Sequence, residues 1–297
     1  MRSAAKTYIL RIRLAVTSDL HVDHHPEVVA LLVDAIRRCE ADVLVVAGDL
    51  SADPALLEQT LAGLRPHARE AVFVPGNHDL WTRKGEPTSR ERYEQIVPSR
   101  ARAAGFHALG AEAPPLLFGH RFVGVTGWFD YTLRTRSLDA TFTREHYEKG
   151  RWGMLQWSDK LRVVWPNDDG VLLDDPAICD AQVRSLEAQL AEVGSAPTVA
   201  VTHHLPFEEL VTSKGEAPWD FLNGFMGSAR LGAAILRAPG MKLAIAGHTH
   251  FRKDAQVAHG ESTLRALTSP LGYPREYKRA GLTLAERVRE RVTLVEL

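Results

Sequence analysis

Cysteine is scarce in this chain: two in 297 residues, Cys39 and Cys179, with no C-x-x-C pair. That excludes a disulfide-stapled secreted scaffold and suits a reducing cytoplasm. Long apolar runs are missing too. None approaches the roughly 18 residues that a membrane span requires, and the polar opening Met1–Thr7, followed by apolar positions broken by Arg11 and Arg13, is expected to be neither a signal peptide nor a span. Charge of one sign is also lacking. Lys+Arg number 36 against 37 Asp+Glu, a net charge of -1, so no global field draws the chain to nucleic acid or a membrane surface. The length allows one large α/β domain, or two small ones, with a substantial core.

What is plentiful is histidine, 13 in all, and it falls where apolar runs end. The centre of the pattern is Gly76-Asn77-His78-Asp79, which follows the buried-strand run Ala71-Val72-Phe73-Val74-Pro75. An amide oxygen can bind a metal and the adjacent imidazole can move a proton, so this stretch reads as half of a hydrolytic site. Earlier, the strand expected from Leu10 to Thr17 ends in Ser18-Asp19-Leu20-His21, whose Asp19 and His21 point the same way in extended backbone. A strand from Asp42 ends in Gly48-Asp49. Between them Val28, Leu32, Ala35, Ile36 and Cys39 follow Pro26 at helical spacing, and Asp53-Pro54 reads as the cap of a helix facing inward through Leu57, Leu61 and Leu64. Three strands joined by helices imply a parallel sheet, whose ligands sit at the carboxyl ends of its strands.

The middle is less regular. Glu86 to Ala104 reads as helix, and Leu116–Phe118 and Phe122–Thr126 as short antiparallel strands. Asp130 to Asp175 carries Trp152, Trp157 and Trp165 among Lys149, Arg151, Lys160 and Arg162, and is expected to be an insertion near the mouth of the site. Order returns with a helix from Ile178 to Val193, ended by Gly194, and with two further buried strands. One ends in Thr202-His203-His204, the other in Gly247-His248-Thr249-His250. Ser262–Thr268 and Arg291–Glu296 read as closing strands, and Gly272–Arg275 as a loop.

Any one of these polar strand ends has a structural explanation, but five together have none. They read as two ion sites sharing Asp49, with Asp19 and His21 at one ion, Asn77 at the other, and the late histidines completing both. A nitrogen and oxygen shell without thiolate favours Mn, Fe, Co or Zn over Mg or Ca. Two such ions less two aspartates and one bridging hydroxide leave about one positive charge to attract phosphate.

D-x-H at Asp19–His21, G-D at Gly48-Asp49, G-N-H-D at Gly76–Asp79, the strand-ending His203 and G-H-x-H at Gly247–His250 together resemble the calcineurin-like metallophosphoesterases. The resemblance implies a single domain over residues 1–297, with an insertion at roughly 130–175. Its α/β fold would be a four-layer β-sandwich of two mixed sheets flanked by helices. It also implies that Asp19, His21, Asp49 and His250 bind the first of two divalent transition-metal ions, and Asp49, Asn77, His203 and His248 the second. Mn is the first choice of ion, with Fe, Zn and Co as alternatives. His78 would protonate the leaving oxygen or steady the transition state, and Asp79 would orient His78. Either histidine of His203-His204 can be the ligand; His203, the first past the strand, is preferred.

The expected reaction is hydrolysis of a phosphodiester or phosphomonoester by in-line attack of a metal-bridging hydroxide. Around the site, Trp81, Arg83, Lys84, Tyr131, Arg134, Arg136, Tyr273 and Arg275 are candidate substrate contacts, while His24 and His25 read as loop histidines. Two alternatives accompany that reading. One is a nuclease on single-stranded nucleic acid, motivated by the interleaved Trp, Lys and Arg of the insertion. The other is a non-enzymatic scaffold, which would tolerate missing ligands, and none is missing.

Overall fold

The computed structural model describes residues 11–297; Leu10, expected to open the first strand, lies outside them. The runs buried on both faces become parallel strands. In the first sheet β1 (Arg13–Thr17), β2 (Val43–Val46), β3 (Glu70–Phe73) and β4 (His107–Ala108) lie side by side, and β13 (Thr293–Glu296) joins β1 antiparallel. In the second, β6 (His120–Val125), β9 (Thr198–Thr202), β10 (Met241–Ala246) and β12 (Ser262–Thr268) are parallel. That sheet is edged antiparallel by β5 (Leu116–Leu117) and β11 (Lys253–His259). A hairpin of β7 (Arg151–Trp152) and β8 (Leu155–Gln156) stands apart.

Strand alternation divides the core between two layers. Leu14, Val16, Val43, Val45 and Val72 of the first sheet meet Phe122, Val199, Val201, Leu243 and Ile245 of the second. Their neighbours Ala15, Leu44, Val46, Phe73, Val123 and Ala200 turn outward to the helices. The Val28–Cys39 helix buries the five residues its spacing predicts. Likewise the Pro54–Leu64 helix starts at Asp53, whose side chain accepts from the Ala55 amide at 2.8 Å. Full burial of each such Val, Leu or Phe stabilises by about 1.5–3 kcal/mol, so the result is two mixed sheets packed face to face with helices on the outside. Both cysteines are free and buried, and among the described residues no helix is long and apolar enough to cross a membrane.

Several stretches differ from expectation. Glu86–Ala104 contains Ser89–Glu91, one wide turn at Arg92–Ile96 and Val97–Ala103; the wide turn spares the Glu94 carbonyl a clash with the Pro98 ring. Strand β13 starts only at Thr293, because Arg291 closes a helix, Leu284–Arg291. The Gly272–Arg275 loop runs into a Pro274–Arg279 helix, since Pro274 suits a first turn and the Glu276 carboxylate returns to the Tyr273 amide at 3.0 Å. Strand β11 was not expected at all. Between 130 and 174 lie the β7–β8 hairpin and the short helices Arg144–Lys149 and Asp159–Arg162. This stretch is tied to the body by an aromatic cluster in which Trp157 stacks on Phe225 with ring centroids 5.0 Å apart.

Candidate metal centre

The carboxyl ends of β1, β2, β3, β9 and β10 meet at one rim, and the chain turns sharply there. Asp19 (φ 54°), His21 (φ 42°), Asp49 (φ 60°), His248 (φ 68°) and His250 (φ 53°) all take left-handed backbone, which costs on the order of 1–2 kcal/mol per residue. The strain persists because the loops hold one another. The Asp19 amide donates to the Gly48 carbonyl at 2.9 Å, the His21 amide to Asp49 at 3.0 Å and the His248 amide to the Asp19 carboxylate at 2.9 Å. Close approach also explains two motif glycines. A Cβ on Gly48 would lie 2.6 Å from the Gly76 nitrogen, and one on Gly76 would land on the Asp49 carboxylate.

Second partners determine which nitrogen of each imidazole is free. His203 Nδ1 donates to the Ala47 carbonyl at 2.8 Å, leaving Nε2 turned toward Asn77 Oδ1, 3.0 Å away. His248 donates from Nε2 to the Phe225 carbonyl (3.2 Å), so its Nδ1 faces the same oxygen at 3.0 Å. His250 Nδ1 donates to Glu276 at 3.0 Å, and its Nε2 faces His21 Nε2 at 3.0 Å and Asp19 at 3.4 Å. Ring nitrogens and the Asn77 oxygen therefore crowd together at hydrogen-bond distance, an arrangement that either a proton on His203 and His250 or a metal ion among them satisfies. Ligands at about 2.1 Å from an octahedral ion are themselves about 3.0 Å apart, so the spacing fits divalent metal.

Donor atoms of Asp19, His21 and His250 lie within 4.8 Å of one another, as do those of Asp49, His203 and His248, and those of His21, Asp49 and His78. Asp49 thus stands between the groups, 3.4 Å from His203 Nε2 and 3.9 Å from His21 Nε2. Burial alone would lower His203 and His250, but Asp49 lifts the first to about 9, and Asp19 with Glu276 lifts the second to about 10. Burial also opposes ionisation of Asp49, yet His203 and His78 hold its carboxyl well below the usual range. His248, by contrast, is pushed down to about 3 by burial and by the neighbouring His203. In the His203-His204 pair the second ring turns away. His204 Nδ1 meets the Thr126 carbonyl at 3.2 Å, and its ring packs beside Trp128.

His78 lies partly open at the edge of the cluster, its Nε2 3.2 Å from the Tyr273 hydroxyl and its ring stacked on Trp81. Burial lowers its pKa to about 4, so it is neutral at pH 7. The Asp79 carboxylate does not reach that ring. It accepts instead from the amides of Asp49 (2.9 Å), Leu50 (2.8 Å), Ser51 (3.0 Å) and Gly76 (2.8 Å), which fastens the Asp49 loop to the Asn77 loop. A residue the sequence did not single out orients Asn77. Buried Asp159 accepts from Asn77 Nδ2 at 2.8 Å, turning Oδ1 toward the histidines, and also from the indole N–H groups of Trp81 (2.6 Å) and Trp157 (2.8 Å). Its only signal in the sequence was a place among the tryptophans of residues 130–175.

Asp49, Asn77, His78, His248 and His250 line a cavity of about 830 Å³. Trp81, Trp157, Trp219, Phe251 and Met226 contribute apolar wall, and Arg275 and Tyr273 also line it. Other candidates lie elsewhere. Arg134 pairs with Asp139 at 2.8 Å, the Tyr131 hydroxyl and the Lys160 ammonium are both bound to Asp175, and Trp165 is core. Arg83, Lys84 and Arg136 are not among the cavity residues. His25 is buried with Nε2 on the Leu20 carbonyl at 2.6 Å, while His24 stands edge-on to His21 at 6.3 Å between ring centroids. Trp165 and Lys160 of the insertion are committed inside the fold, while Trp157 lines the cavity.

Comparison with solved structures finds the same fold. A phosphopantetheinyl hydrolase from Mycobacterium tuberculosis superposes with a TM-score of 0.70 at 20% identity, over 96% of this chain and 95% of that one. TT1561 of Thermus thermophilus gives 0.51 at 14% identity over 96% and 98%. A dimetal phosphatase from Danio rerio gives 0.50 at 16% identity over 86% of each chain. No curated protein matches. The calcineurin-like phosphoesterase family model matches residues 12–252, a span holding all the strand-end motifs. A match over most of the chain, on the residues that converge at the rim, makes this protein a member of the calcineurin-like phosphoesterase family and a metal-dependent phosphoesterase.

Proposed function

We propose that the protein hydrolyses a phosphodiester, with two divalent ions, manganese the first choice, held by the seven converging residues. Asp19, His21, Asp49 and His250 would hold one ion, and Asp49, Asn77, His203 and His248 the other. The observation that carries this reading is the set of ligand-type atoms about 3.0 Å apart around Asn77 and between His21 and His250, with the other nitrogen of His203, His248 and His250 already engaged. When bound, the ions supply charge neutralisation at the phosphoryl group and an acidified water as nucleophile. The remaining work belongs to the chain. Neutral His78 donates a hydrogen bond to the phosphoryl or leaving oxygen, with Tyr273 and Trp81 restraining its ring. Asp159 and Asp79 act as positioning residues, the first on the Asn77 amide and the second on the backbone that carries Asp49.

A diester is preferred over a monoester because the cavity lining includes Trp157, Trp219 and Phe251 as well as cluster residues, apolar surface that a second ester substituent would cover. The tryptophan and Phe251 wall suits an apolar or flexible arm. Phosphopantetheinyl compounds, the group in the name of the M. tuberculosis neighbour, therefore belong in the substrate panel. The residue 130–175 excursion serves here as a wall of the active site, and the free buried cysteines are in keeping with a cytoplasmic setting. The test is turnover of bis-p-nitrophenyl phosphate and p-nitrophenyl phosphate by manganese-loaded protein. The diester should be the better substrate, and Asp49→Ala should lose both activities. Undiminished turnover in Asp49→Ala would end this reading.

A further inference from the structure

The wall of the cavity built by the Pro274–Arg279 and Leu284–Arg291 helices carries four arginines that the hydrolytic centre leaves unused. Arg275 and Arg279 are four apart on the first helix, Arg287 and Arg291 four apart on the second, and all four line the cavity. Residues at that spacing share a helix face. The outer pair is exposed, Arg287 is buried and Arg291 is half-buried. Among the described residues none of the four forms an ion pair within 4.0 Å. Arg287 donates from Nε to the Leu271 carbonyl at 2.7 Å, while Nε and Nη1 of Arg291 are shielded from solvent with no hydrogen-bond partner among the described residues.

The acidic groups nearby do not cancel this charge. Glu276 is the carboxylate that acts most on Arg287, but it is occupied by His250 Nδ1 and by the Tyr273 amide. Glu290 is exposed, and Arg252 adds another cation beside Arg291. Burial and the neighbouring Arg287 push Arg291 down to about 10, still cationic at pH 7. A partly buried guanidinium with unmet donors is costly unless an anion completes it, and the planar fork of arginine matches phosphate.

We propose that Arg275, Arg279, Arg287 and Arg291 form a second anion subsite, which binds a phosphate-type group carried by the same ligand at a distance from the scissile phosphoryl. This deepens, and rests on, the phosphoesterase reading: the substrate class becomes a phosphoester with a second, uncleaved anionic group. Two inner donors line a cavity rather than an open face, which fits a small ligand entering from the metal centre.

The test is calorimetric titration of the full, manganese-loaded chain with alkane-α,ω-bisphosphonates of two to eight carbons, each against the matching monoalkylphosphonate. Their C–P bonds leave nothing to hydrolyse. One chain length should bind at least tenfold more tightly than its monophosphonate, and Arg279→Gln with Arg291→Gln should cut that ratio to threefold or less. Arg275→Gln with Arg279→Gln, both at exposed positions, should reduce it too and covers the case in which replacing Arg291 impairs folding. Equal binding of mono- and bisphosphonates by the wild type, or a ratio untouched by both pairs, overturns the subsite. Turnover of bis-p-nitrophenyl phosphate reports separately on the hydrolytic reading, so a protein that cleaves this ester without the preference loses the subsite alone.

Discussion

Asn77 offers an oxygen and a nitrogen of nearly equal size, and a single carboxylate, Asp159, determines which of them faces the histidines. Asp159→Ala would leave the Asn77 amide and two indole N–H groups without an acceptor. Metal affinity or kcat/KM should fall about 10–100-fold, read as metal content per chain and as kinetics, with Asp159→Asn recovering part of the loss. Full metal occupancy and full activity in the alanine variant would refute this role. His78→Ala tests a different role. Turnover should drop about 10²–10⁴-fold while bound metal stays near wild type, since the ring lies at the edge of the cluster. Loss of metal together with activity would make His78 a ligand instead. A third outcome concerns the thiols. Burial pushes Cys179 up to about 12 and raises Cys39 as well, so at pH 8 only about one Cys179 in 10⁴ is ionised. A colorimetric thiol reagent should find no reactive group in the native protein and two after denaturation.

At the scale of elements, the strands that end in ligands were legible because both faces of each are buried, which makes them near-continuous apolar runs. Strand β11 escaped notice because it lies at a sheet edge, with Lys253, Asp254, Gln256 and His259 interrupting Ala255 and Val257. The Pro274–Arg279 helix escaped because it is short and polar; it is settled by packing against the Leu284–Arg291 helix and by Glu276 reaching His250. Side chains also do backbone work that no periodicity reveals. Gln189, from the Asp175–Val193 helix, accepts from the Gly124 amide at 2.9 Å and donates to the Gly124 carbonyl at 3.0 Å, on a stretch of β6 that the two-residue β5 does not cover. Gln189→Ala should lower stability by about 1–3 kcal/mol in urea unfolding, and a change of a few tenths would show that water replaces the side chain. The same reasoning explains why Asp79 belongs to the loops rather than to His78. Four amides converge on it, and they come from two strand ends that only the fold makes adjacent.

For the molecule as a whole, the rim gathers ligand-type nitrogen and oxygen atoms from five strand ends, and a bound cation would cross-link them. Chelation followed by dialysis should therefore lower the melting temperature by several degrees, and manganese should restore it, as expected when a ligand binds only the folded state. An unchanged melting temperature, with metal loss verified, would mean the rim is held by its hydrogen bonds alone. The amino-acid sequence by itself determined the buried strands, the main amphipathic helices, the ligand-type residues and the family, because each rests on local periodicity or on short motifs of characteristic order. The tertiary structure alone decided that Asp159 turns the Asn77 amide, that His203 rather than His204 faces Asp49, and that four arginines line the cavity beside the histidines. These are contacts between residues tens to hundreds of positions apart, and local pattern carries no information about which distant donor meets which acceptor until the two sheets have packed.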